Sequence, residues 1–212
     1  AMVGDLLDAL EATGQARDTV VIFTSDHGDM MGEHGLFQKN APYDGCARVP
    51  LIIAGPGFPA GKTVETPVSL TDLFATIVEV TAAREPEGTR GRSLVPLAHG
   101  RENGRGPVFV ELNTERLITG VFSLVEWPWK LNLYVDYPAQ LFNLAEDPEE
   151  WVDRADSPEC AAVRQSMERT LRLIVDPEAV NDAAFAEQER RLDAFLRGRT
   201  LAQATGEPGF FE

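Results

Sequence analysis

The chain has 212 residues, 43% of them hydrophobic, and a formal net charge of −15. The apolar fraction is ample for a packed core, and the acidity disfavours binding to nucleic acid or to an anionic membrane surface. No apolar run approaches the length of a membrane span. Two widely separated cysteines, Cys46 and Cys160, form neither a disulfide framework nor a zinc site, which makes a reducing compartment the default. No basic-then-apolar leader is visible at the N-terminus. The cytoplasm is therefore expected, with the periplasm as the alternative if residues precede Met2.

In chain order, Val3–Glu11 has the pattern of an amphipathic helix, with Leu6, Leu7 and Leu10 on one face. Thr19–Thr24 reads as an apolar strand of the kind buried on both faces of a parallel sheet. Residues 25–49 show no clean periodicity and read as a long functional loop with one helical turn near Met30. Pro50–Gly55 is a second buried strand, closed by the Gly55-Pro56-Gly57 turn. Ser69–Ala82 reads as a helix with an apolar stripe of Leu70, Leu73, Phe74, Ile77, Val78 and Thr81. This helix–strand–loop–strand–helix order suits a layered α/β domain.

Residues 85–107 read as connections around a short Ser93–His99 element. Val108–Leu112, Leu117–Val125, Trp129–Val135 and Gln140–Leu144 then follow in close succession, and their short turns predict an antiparallel sheet. Ala161–Ile174 and Pro177–Arg197 predict helices, each with proline near its start. The tail after Gly198 has no placeable pattern. The expected organisation is a partial layered α/β core over 1–104 and a small antiparallel sheet with C-terminal helices over 105–212.

The strand at Thr19–Thr24 ends in Ser25-Asp26-His27-Gly28-Asp29. A carboxylate and an imidazole are both good ligands for a divalent cation. As sequence neighbours they can reach one ion only if the backbone turns, which Gly28 permits. A local capping role for Asp26 and a solvated His27 is the plainer reading of the pair alone. Asp29 and Glu33 read as a solvated loop face. His34 suits a ligand, a substrate contact or a loop-ordering hydrogen bond. Lys39 is a compact positive charge suited to an anionic oxygen, although most lysines simply lie at the surface. Cys46 reads as a buried small residue and His99 as a surface histidine.

The stretch Thr24-Ser25-Asp26-His27-Gly28-Asp29-Met30-Met31-Gly32-Glu33-His34-Gly35-Leu36 closely resembles the second metal-ligand segment of the sulfatase family, within the alkaline-phosphatase-like superfamily. Lys39, Tyr43 and Arg48-Val49-Pro50-Leu51 follow at familiar spacing. Ser69-Leu70-Thr71-Asp72-Leu73, Gly91-Arg92-Ser93-Leu94 and Leu141-Phe142-Asn143-Leu144-Ala145-Glu146-Asp147-Pro148 resemble later landmarks, in family order.

The resemblance implies hydrolysis of a sulfate ester by a formylglycine nucleophile at a divalent metal. It assigns Asp26 and His27 to metal-ligand positions, and Lys39 to binding sulfate oxygens and to catalysis. His34 is taken as a second substrate contact. Calcium is the first choice of metal and manganese the second. A histidine at position 27 resembles the choline-sulfatase and phosphonate-monoester-hydrolase branches. The family's Cys/Ser-x-Pro-x-Arg nucleophile motif and its early aspartate pair do not occur in these 212 residues.

The chain therefore resembles the C-terminal portion of a sulfatase and is expected to lack turnover by itself. A phosphonate monoester or phosphodiester hydrolase and a non-catalytic metal- or partner-binding remnant are the alternative readings. Apolar faces left without their layer predict self-association.

Overall fold

A computed structural model describes residues 2–102, 104–114 and 117–197; the tail after Gly198 lies outside the described residues. In order, the elements are α1 (Met2–Ala12), β1 (Val21–Thr24), β2 (Met30–Met31), β3 (Phe37–Gln38), α2 (Asp44–Ala47), β4 (Leu51–Ala54), α3 (Thr71–Val80) and α4 (Val95–Ala98). They continue with β5 (Val108–Leu112), β6 (Val121–Glu126), β7 (Trp129–Tyr134), β8 (Tyr137–Asn143), α5 (Ala161–Ile174) and α6 (Pro177–Leu196). Among the described residues, no helix is long and apolar enough to cross a membrane.

The best-packed part is the antiparallel sheet β5-β6-β7-β8. Strand alternation sends Leu131 and Leu133 to one face and Lys130 and Asn132 to the other. The leucine face packs with Phe122, Leu124 and Leu141 against Met167 and Leu171 of α5, forming the main hydrophobic core. The opposite face carries Lys130, Asn132, Gln140 and Phe142, and it receives the segment around Tyr43 and Asp44.

The N-terminal half departs from expectation in three ways. First, β1 pairs with β4 antiparallel, not parallel, with Phe23 opposite Ile52. An unbroken apolar run reports burial and is silent on strand direction, and here even burial is incomplete: Phe23 is 45% exposed and Ile52 62%. Second, the 25–49 segment is not one loop. It contains the β2–β3 hairpin and the one-turn helix α2, elements too short to show a period. Third, the apolar stripe of α3 is turned outward. Leu70, Phe74 and Ile77 are exposed, whereas Asp72, Ala75 and Thr76 are buried.

Asp72 explains that last inversion. Its Oδ2 accepts from Ser69 N at 3.0 Å and pairs with Arg105 at 2.7 Å, while its Oδ1 accepts from Arg92 N at 2.8 Å. Thr76 Oγ1 accepts from Leu94 N at 2.9 Å. A Cβ on Gly91 would sit 2.1 Å from the Thr71 carbonyl oxygen, so only glycine permits this approach. The Ser69–Leu73 and Gly91–Leu94 landmarks are therefore the two sides of one polar joint.

Candidate active site

Strand β1 delivers Ser25-Asp26-His27 to a sharp turn. Asp26 Oδ1 accepts from the backbone N–H of His27 at 2.9 Å. This bond, and after it the His27 ring, holds the Asp26 carboxyl below the usual carboxylate range, so it stays ionised near neutral pH. His27 Nδ1 lies 2.9 Å from the Gly28 carbonyl oxygen. A carbonyl can only accept, so Nδ1 donates, and Nε2 is the ring nitrogen turned toward other partners; a ring nitrogen anchored in this way is the usual support of a metal-binding histidine.

His27 Nε2 and Asp26 Oδ2 are 3.5 Å apart. Two such atoms can share one cation, since metal–oxygen and metal–nitrogen distances run to about 2.0–2.6 Å. The donors thus fit a divalent cation in kind and in spacing. Among the described residues no group of three or more His, Cys, Asp or Glu side chains could hold a metal, so this pair is a partial set.

Gly28 closes the turn against α2. Its N–H donates to the Cys46 carbonyl at 2.8 Å, and a Cβ in its place would sit 2.1 Å from the Gly45 carbonyl oxygen. Cys46 is buried, and burial pushes its thiol up, which keeps it protonated. That thiol donates to the Gln38 carbonyl at 3.3 Å. Cys46 thereby grips both the Asp26–His27 turn and the end of β3, where Lys39 follows. The β2–β3 register pairs Met30 with Gln38. Continued by one residue, it sets Lys39 level with Asp29, two positions from His27. Lys39 is exposed and forms no ion pair or hydrogen bond among the described residues; Asp29 is exposed as well.

Glu33 turns its carboxylate back onto Met31 N at 2.6 Å, and so orders the hairpin turn. His34, at φ 52°, is clamped. Its ring stacks on Tyr43 with centroids 4.0 Å apart and on Trp151 at 4.5 Å, and Nε2 lies 3.0 Å from the Glu149 carbonyl oxygen. Nδ1 is the nitrogen left for another partner. His99 is exposed and reaches the Gly57 carbonyl.

The sequence does not announce the residues beneath this turn. Lys130 is wholly buried and lies 2.7 Å from both Asp44 Oδ1 and Glu150 Oε1, while Asp44 N donates to Glu150 Oε2 at 2.6 Å. Burial pushes the Glu150 carboxyl up, against the pull of Lys130. Beside this trio, Tyr43 and Tyr134 share the side chain of Gln140. The Leu141–Pro148 landmark leads into this joint. Asn143 and Asp147 tighten the turn that carries Glu149, Glu150 and Trp151 to the hairpin.

A family model described as Sulfatase matches residues 1–83. Arylsulfatase K of Danio rerio is 37% identical over 188 residues, which cover 85% of this chain and 36% of that protein. The chain belongs to the sulfatase family. This sulfatase-family chain is also 37% identical over 198 residues to the choline-sulfatase of Rhizobium meliloti (strain 1021), a match covering 89% of the chain and 38% of that protein. The crystal structure of a phosphonate monoester hydrolase of Agrobacterium radiobacter matches it with a TM-score of 0.71 at 30% identity, over 80% of this chain and 38% of that one. The chain thus spans well under half the length of the relatives it matches. The partial α/β fold expected of a sulfatase is the fold found.

Proposed function

We propose that this chain contributes part of a metal-assisted hydrolytic site for sulfate esters. Asp26 and His27 are its cation ligands, and Lys39 is its sulfate-binding and catalytic charge. The observation that supports this reading is the Nδ1 anchor of His27 on the Gly28 carbonyl, with Nε2 left facing a carboxylate oxygen of Asp26 at 3.5 Å. When bound, a divalent cation neutralises charge on the transferred group; calcium is our first assignment and manganese the second. The Lys39 ammonium binds anionic ester oxygens and stabilises the charge they gain, and His34 offers Nδ1 as a further substrate contact. No residue of the chain stands in a nucleophile motif, so the chain by itself is not expected to turn over an aryl sulfate.

Mn2+ titration followed by electron paramagnetic resonance tests the ligand assignment. Saturable binding is expected in the unsubstituted chain and should be lost in Asp26→Ala. Equal affinity in both would refute it.

A phosphonate or phosphate monoester is the second reading. It is favoured by His27 and by the likeness to the Agrobacterium radiobacter hydrolase. Competition of inorganic sulfate and phosphate for the Mn2+-loaded chain separates the two.

Self-association belongs to the same reading. The exposed pair Phe23–Ile52 and the outward α3 residues Phe74 and Ile77 offer apolar faces for a second copy. Sedimentation velocity is expected to show mass increasing with concentration, and a strictly monomeric profile at high concentration would count against it.

A further inference from the structure

Helix α2 is a single turn, too short to hold its own conformation, yet it touches both halves of the candidate site. The Cys46 carbonyl accepts from Gly28 N at 2.8 Å, and the Cys46 thiol donates to Gln38, the residue before Lys39. What orients α2 lies at its first residue. Asp44 pairs through its carboxylate with Lys130 at 2.7 Å and donates through its backbone to Glu150 at 2.6 Å. Lys130 in turn sits within the best-packed sheet, which gives the anchor a rigid base.

We propose that Asp44 is a positioning residue: it transmits the placement of the C-terminal sheet through α2 to the Asp26–His27 turn and to Lys39. Its bearing on the metal rests on the functional reading above; the mechanical link does not. Asp44→Ala leaves Lys130 paired with Glu150, so no buried charge is stranded, while the side-chain tie of α2 to the sheet is cut.

Two measurements on the whole chain test this. The first is amide exchange by nuclear magnetic resonance. In Asp44→Ala the Gly28 N–H is expected to exchange faster, because the bond to the Cys46 carbonyl that protects it opens more readily. The amides of Leu131 and Leu133 in β7 should be unchanged. The second is Mn2+ affinity, expected to fall about 10–100-fold. Asp44→Asn keeps an oxygen for Lys130 and serves, with a smaller effect in the same direction, should the alanine variant not fold.

Unchanged Gly28 exchange overturns the proposal. So does faster exchange with unaltered Mn2+ affinity where Asp26→Ala abolishes binding. If the unsubstituted chain binds no Mn2+, the site reading fails by itself, and Gly28 exchange alone decides the positioning role.

Discussion

Lys130→Ala is expected to lower the unfolding free energy by about 3–5 kcal/mol, the usual cost of breaking a buried ion pair from one side. The lysine is wholly buried, and its ammonium is the shared partner of Asp44 and Glu150. Without it, two carboxylates face each other beneath the sheet, one of them almost entirely out of water. Burial already pushes Glu150 up, and removing the cation pushes it further. A folded-state carboxyl raised above its unfolded value takes up its proton first in the folded chain. The deficit is therefore largest near neutral pH and narrows as pH falls toward the ordinary carboxylate range. Urea denaturation of both chains at two pH values measures this. An unchanged midpoint near neutrality would show that the trio does not hold the fold.

Gly28→Ala is expected to damage fold and site together. The added methyl would meet the Gly45 carbonyl oxygen at 2.1 Å, its carbon at 3.1 Å and Cys46 Cα at 3.5 Å. All three are backbone atoms, so no side chain can swing aside. Overpacking of this kind costs about 1–3 kcal/mol, and relieving it separates the turn from α2 and stretches the bond to the Cys46 carbonyl. The variant should unfold at lower urea and bind Mn2+ more weakly than the parent. Parent-like stability and affinity would mean that the turn relaxes without moving its ligands.

Long, strongly periodic segments were legible from the sequence. Strands β5–β8 and helix α5 show this best, because they pack on one another around the main core; α1 has the helical spacing yet buries none of its residues, and α6 is marked chiefly by Pro177 at its start. Asp26, His27 and Lys39 stand out in the sequence as residue types, but the Gly28 carbonyl that holds the His27 ring through Nδ1 does not. Lys130 shows why the rest was hidden. Lys130, Asn132 and Tyr134 alternate with leucines in the pattern of a solvent-facing row, yet Lys130 and Asn132 are fully buried, because a segment from far upstream lies over them. The same holds for α3, whose apolar stripe faces outward because Asp72 commits the polar edge to a joint with Arg92 and Arg105. In both places a specific long-range polar partner overrules the local pattern.

The joint between Asp44 and Lys130 spans 86 positions of chain, and that between Tyr43 and Gln140 spans 97. Closing loops of that length is entropically costly and is rewarded only when both ends are already shaped to meet. The β7–β8 hairpin is built from neighbours and can form early; the Asp26–His27 turn depends on a base that arrives from its far side. The Asp26–His27 turn is thus expected to reach its final seat on the sheet only after the β7–β8 hairpin has formed.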